Sequence, residues 1–211
     1  MLLSVIAGAT DTICFLGLNG LFTAHITGNV VVLAANLVTG KPAVASYLLS
    51  VPVFMFVLYM TRMLAIRFER IGLPPLRPLL FIQLLFLVAC LEISVFDGSR
   101  LHPQSVAMLL AGMSAVCAMA VQNALAQIAF KKVPSTAVMT TNVTHFVLDL
   151  TELVHARDYA AARDRALRTL PVIAGFVLGC ALGAIYQAAA GLWSLSLPTS
   201  LALVALLIAE M

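Results

Sequence analysis

Polar punctuation divides the chain into eight apolar segments, roughly Leu2 to Leu21, Thr23 to Val38, Val44 to Ile66, Leu79 to Phe96, Ser105 to Phe130, Thr136 to Val154, Leu170 to Ala190 and Pro198 to Ala209. Most are long enough to be membrane-spanning helices, which need ~20 apolar residues. The second and sixth are different. They carry Thr23, His25, Thr27, Asn29 and Asn36, and Thr136, Thr140, Thr141, Asn142, Thr144, His145 and Asp149. Lipid-facing helices do not carry such a polar load. Non-helical backbone at membrane depth is tolerated only where protein or a cavity surrounds it, so both segments are predicted to be broken or re-entrant.

The two polar segments also match each other. Set 113 residues apart, they are identical at Thr23/Thr136, Ala24/Ala137, Thr27/Thr140, Asn29/Asn142, Val30/Val143 and Leu37/Leu150, six of fifteen aligned positions. That is an internal repeat signal. With one residue inserted upstream, Asp11 falls opposite Asn123, and Pro52 and Pro171, then Pro78 and Pro198, keep the order downstream. The expected organisation is one transmembrane domain over 1–211, with repeat 1 at about 1–96 and repeat 2 at about 105–211.

Composition agrees with this class: 62% of the residues are hydrophobic, 10% are charged, and the mean hydropathy is +1.06. A soluble globular domain is excluded. The net charge of +3 forms no basic face for nucleic acid and mainly reports orientation, because short cytoplasmic loops collect Lys and Arg. If all eight segments cross, the twelve basic residues divide six and six. If the two polar segments return to the side they came from, ten gather on one face against Lys41 and Arg100 on the other. The second topology satisfies the rule and places the basic stretches 62–77, 131–132 and 157–168 in the cytoplasm. Each half then has three crossings, so the halves are inverted, a symmetry common in transporters. The amino-terminal Met-Leu-Leu-Ser-Val-Ile lacks the basic region of a signal peptide and is expected to be retained as structure.

Gly8-Ala-Thr-Asp11, Phe15-Leu16, Phe22, Thr27-Gly28-Asn29, Gln122-Asn123 and Pro134-Ser-Thr136 resemble the YoaK-type bacterial inner-membrane proteins, a family of unknown function. The resemblance covers nearly the whole chain. It implies a multi-pass membrane protein and no established activity. Thr140-Thr141-Asn142 departs from the Thr-Gly expected in a second copy of the motif.

Asp11 lies about ten residues into the first helix, where an unpartnered carboxylate costs several kcal/mol, so it is expected to be protonated or partnered. It is the candidate proton- or ion-coupling group; the competing reading is a structural carboxylate bonded to Thr and Asn. Thr27, Gly28, Asn29, Thr140 and Asn142 are the candidate substrate lining, with Gln122 and Asn123 beside them. Their competing roles are satisfaction of broken backbone and hydrogen bonding between helices. Asn29 and Asn142 are expected to cap half-helices over Val30 to Leu37 and Val143 to Leu150. His25 and His145 are candidate relays, against the commoner role of packing histidines. Asp149 and Glu152 read as interfacial ion-pairing groups.

Gly175, Gly179 and Gly183 recur every four residues and predict a close helix contact, within the chain or in a homodimer. The stretch from Arg157 to Arg168 is expected to lie on the cytoplasmic membrane surface. Cys14, Cys90, Cys117 and Cys180 sit inside apolar runs without metal-ligand spacing, so no metal or other cofactor is expected. Gly112-Met-Ser114-Ala has Ala where intramembrane serine proteases have Gly, and the His spacing does not follow that family, so no enzyme is expected.

The resulting expectation is an all-α integral membrane protein of the bacterial inner membrane, with two inverted three-helix repeats and two polar half-spans. It would move a small solute through an ion- or proton-coupled cycle. Half-helix N-termini carry positive partial charge and favour a small anion or carboxylate metabolite. The alternatives are a passive channel lined by paired half-helices and a non-transporting membrane partner or assembly protein.

Overall fold

A computed structural model of the chain describes residues 1–40, 45–96, 105–129, 139–155 and 159–209. The described residues are helical almost throughout: α1 (Leu2–Gly17), α2 (Ile26–Val38), α3 (Ala45–Arg70), α4 (Leu76–Phe96), α5 (Val106–Ala129), α6 (Met139–His155), α7 (Tyr159–Ala190) and α8 (Ser196–Ile208). A 3-10 turn, Gly191–Leu195, joins the last two into one run. Among the described residues, four helical stretches are long and apolar enough to cross a membrane: α3, α4, α5 and the run from Tyr159 to Ile208. The chain is therefore a multi-pass helical membrane protein. Consistent with a lipid surround, many large apolar side chains face outward, among them Phe56, Phe81, Val177 and Ile185.

The helix ends fall into two groups. At one end, Leu2 and Leu3 of α1 meet Leu76 and Leu80 of α4 and Ala205, Ile208 and Ala209 at the end of α8. The ends of α3 and α5 are also here, since Leu64, Phe68, Leu125 and Ile128 pack in the same cluster as Leu76. At the other end, Cys14 and Leu18 of α1 pack with Cys90 and Leu91 of α4, Met108 of α5 and Leu192 and Leu195 of the 3-10 turn. The start of α3 joins that end, because the Tyr47 hydroxyl donates to the Asn19 carbonyl.

The closest helix contact is between α1 and α7, which run parallel. A Cβ on Gly8 would lie 2.3 Å from the Phe176 carbonyl oxygen, and one on Gly179 would lie 2.2 Å from the Val5 carbonyl oxygen. Gly175 abuts Met1, and Gly183 abuts Ala9. The four-residue glycine repeat thus forms a backbone-to-backbone seam with α1. Small residues permit such approach, and packing is the main attraction available to helices in lipid.

Several boundaries differ from those the pattern predicts. The basic stretch before Leu170 does not form a separate surface helix; from Tyr159 onward it is the first three turns of α7, which continues through Pro171. Arg62, Arg67 and Arg70 likewise belong to α3, and Arg77 to α4, rather than to loops. Lys131, Lys132 and Arg157 lie outside the described residues. Asn29 and Asn142 are not helix caps. Helix α2 starts three residues before Asn29, and Asn142 lies within α6.

Candidate functional site

The first helix ends at Gly17, and the chain reverses through Asn19 and Gly20, both left-handed at φ 57° and 80°. Asn and Gly are the residues that adopt this conformation most readily. The reversal sends Leu21 to His25 back along α1, where they meet Asp11.

The Asp11 carboxylate organises this returning segment. Its Oδ1 accepts from the Thr23 backbone N–H at 2.6 Å, the Ala24 backbone N–H at 2.8 Å and the Thr23 hydroxyl at 3.2 Å. Its Oδ2 lies 2.7 Å from Nδ1 of His25. Asp11 is 5% exposed, so four contacts replace the water that an ionised carboxylate would otherwise require. The position nine residues after Leu2 is about 14 Å along this 16-residue helix.

Asn29 secures the same segment from α2. Its Oδ1 accepts from the Phe22 N–H at 2.9 Å, and its Nδ2 donates to the Phe22 carbonyl at 2.7 Å. The side chain thereby replaces, for one peptide, the backbone partners that neither helix supplies. Gly28 lies against the Phe22 ring, where a Cβ would come within 2.8 Å of Cδ2.

A cavity of about 310 Å³ lies beside the pair, lined by Asp11, Thr12, Phe15, Leu16, Phe22, His25, Phe176 and Cys180. Its walls come from α1, the returning segment and α7. The Phe15 and Phe22 rings are 4.7 Å apart, and the His25 ring packs edge-on between Phe22 at 6.4 Å and Phe176 at 5.3 Å. Nδ1 faces the carboxylate, leaving Nε2 as the imidazole nitrogen available to a molecule in the cavity.

Two of the sequence candidates, Asp11 and His25, therefore meet directly. The others are placed elsewhere. Thr27 and Thr140 are exposed, and Asn29 holds backbone instead of lining the cavity. Gln122 accepts from Gln83 of α4 at 2.7 Å and donates to the Leu3 carbonyl at 2.8 Å, which ties α5 to α4 and α1. Asn123 is half-buried beside it. Asn142 is buried in α6, where its amide lies 3.9 Å from the Met139 sulfur, and His145 is exposed. Asp149 and Glu152 both accept from Arg165, at 2.7 and 2.5 Å, joining α6 to α7. Ser114 is half-buried, and its hydroxyl donates to the Leu110 carbonyl within its own helix. No group of three or more His, Cys, Asp or Glu is placed to hold a metal among the described residues.

Phe176, Cys180, Thr12 and Leu16 line the cavity without having been singled out as site residues. An apolar residue within an apolar span gives no signal of its own. Phe15, Leu16 and Phe22 are marked only through the family resemblance.

The fold defines a multi-pass helical membrane protein, and this cavity gives it an Asp–His pair on the wall between α1 and α7. A family model described as "Protein of unknown function (DUF1275)" matches residues 1–208, and the chain belongs to that family. Comparison with curated proteins and with solved structures gave no match.

Proposed function

We propose that this protein moves a small solute across the bacterial inner membrane, with proton coupling through Asp11 and His25. The carrying observation is the 2.7 Å contact between the Asp11 carboxylate and His25 on the wall of a cavity enclosed by α1, the returning segment and α7, in a chain with helices long and apolar enough to cross a membrane. Intramembrane ionisable residues are costly and characteristically serve ion and proton pathways. A purely structural carboxylate needs only the partners that Oδ1 already has; the imidazole adds a titratable group that reaches the cavity. The inner-membrane setting rests on the family resemblance and on the ten-to-two division of basic residues.

The architecture we infer is an inverted repeat with six crossings and two half-spans. Its support is a parity argument. Helix α1 ends where α3 begins, as the Tyr47–Asn19 contact requires, so α2 must return to the side from which it entered. Helix α5 likewise ends on the side from which α7 enters, which assigns α6 the same role. Exchanging α1 with α5, α2 with α6, α3 with α7 and α4 with α8 also maps the main helix contacts onto themselves: α1–α7 onto α5–α3, α4–α5 onto α8–α1 and α2–α3 onto α6–α7. Both α3 and α7 carry an internal proline.

The test is thermal stability of the purified protein against small metabolites and ions at pH 5.5 and 7.5, followed by counterflow of any hit in proteoliposomes. A ligand of the native state must raise the midpoint. Saturable counterflow abolished by Asp11→Asn is the expected result. Flux that never saturates and survives Asp11→Asn indicates a channel. No stabilising ligand and no flux, with Asp11→Asn merely less stable, would leave the pair with a packing role.

A further inference from the structure

Resting on the transport reading above, we propose that the Asp11–His25 cavity takes a small organic cation of the ammonium class and exchanges it for the proton on His25. The first reason is charge. The lining holds one carboxylate, one imidazole and no Lys or Arg, so a bound anion would face Asp11 with only a protonated His25 to offset it. The second is the aromatic wall. Phe15, Phe22 and Phe176 line the space beside the carboxylate. Aromatic faces attract alkylammonium groups, an interaction that strengthens when the site is shielded from water. His25 already lies between two of these rings, so its imidazolium form would occupy the surroundings a cation site supplies.

The exchange follows from the single countercharge. With His25 protonated, the Asp11–His25 pair is neutral and the cavity needs no further cation. With a cation bound, neutrality requires His25 to release one proton. One ammonium ion enters, one proton leaves, and the Asp11 carboxylate is the counterion in both states. Two positive charges on one buried carboxylate would leave an uncompensated charge at membrane depth, which is strongly unfavourable. The other titratable groups nearby are Cys180 of α7 and Cys14 of α1, while α5 carries only Cys117, and α2 and α8 carry none. None adds a second positive charge.

The probe is tetramethylammonium chloride, imposed as an inward gradient on proteoliposomes containing a pH-sensitive dye. Wild type is expected to alkalinise the lumen saturably, whereas sodium chloride and sodium phosphate gradients leave it unchanged. Tetramethylammonium binding to the purified protein should weaken by about tenfold from pH 8 to pH 5.5, as protons compete for the site. His25→Gln should remove that pH dependence. Phe176→Leu, which keeps an apolar side chain against α1, should weaken binding by about tenfold. Binding that is independent of pH in wild type, or unaffected by Phe176→Leu, would overturn the proposal. So would an equal response to sodium, or proton movement driven by phosphate but not by tetramethylammonium. The phosphate result would refute the cation class while leaving the transport reading standing, whereas that reading fails if no solute moves or if flux never saturates and survives Asp11→Asn.

Discussion

Asn29 makes the returning segment possible, because one side chain satisfies both the donor and the acceptor of the Phe22 peptide. Asn29→Ala removes two hydrogen bonds from a position that is 0% exposed. Buried unsatisfied groups cost about 1–3 kcal/mol each in soluble proteins, but hydrogen bonds between membrane helices average nearer 0.6, so a net loss of about 2 kcal/mol is expected. Asn29→Asp is the sharper comparison. It keeps an acceptor for the Phe22 N–H but sets a second carboxylate oxygen against the Phe22 carbonyl, and should be less stable than Asn29→Ala. Unfolding midpoints in a detergent titration measure both; wild-type stability in either variant would show that Asn29 does not hold the segment. Sequence made part of this site legible. Asp11 stood out as an acid within an apolar helix, and His25 as a polar residue in a half-span. Their pairing did not, because they are 14 positions apart and depend on a left-handed reversal at Asn19 and Gly20. Substrate contact and backbone satisfaction also give Asn29 the same pattern, and only the direction of its amide separates them.

At the scale of elements, the seam between α1 and α7 positions the cavity, since Phe176 and Cys180 lie on α7 interleaved with Gly175 and Gly179. The repeat of glycines was readable as a close-packing face, but a one-sided pattern does not name its partner. Gly8 supplies the missing half, a lone glycine whose role appears only when α1 is set against α7. Gly179→Ala should be among the most damaging single-methyl additions, because its Cβ would meet the Val5 backbone at 2.2 Å, and backbone cannot rotate aside. Overpacking of this kind costs about 1–3 kcal/mol. Gly183→Ala, with its nearest contact at 3.0 Å, should cost less. The same midpoint measurements test the order; equal stability of the two variants would mean that the helices separate at little cost. Gly179→Ala should also weaken any ligand of the cavity, because parting α7 from α1 moves Phe176 away from His25.

At the scale of the whole molecule, the crossing pattern sets which side each polar segment opens to. The sequence limits this to two arrangements and favours one by charge; the contacts at the helix ends support the arrangement we propose on grounds that do not depend on charge. Met1 beside Gly175 and Gly17 beside Leu192 and Gln187 make α1 and α7 parallel, so from the start of α1 to the start of α7 the chain changes side an even number of times. Crossings by α1, α3, α4, α5 and α7, with α2 and α6 returning, meet that condition and leave Thr39 on the side opposite Gly72 and Arg163. Single cysteines at these three positions, in a chain whose Cys14, Cys90, Cys117 and Cys180 are replaced by Ala, convert the pattern into a measurement. In intact cells a membrane-impermeant maleimide should label Thr39→Cys, whereas Gly72→Cys and Arg163→Cys should react only after permeabilisation. Reaction of Thr39→Cys and Arg163→Cys from one side and of Gly72→Cys from the other would mean that α2 crosses. Asp11 would then lie beside a full span, and the inverted arrangement of three crossings in each half would be lost.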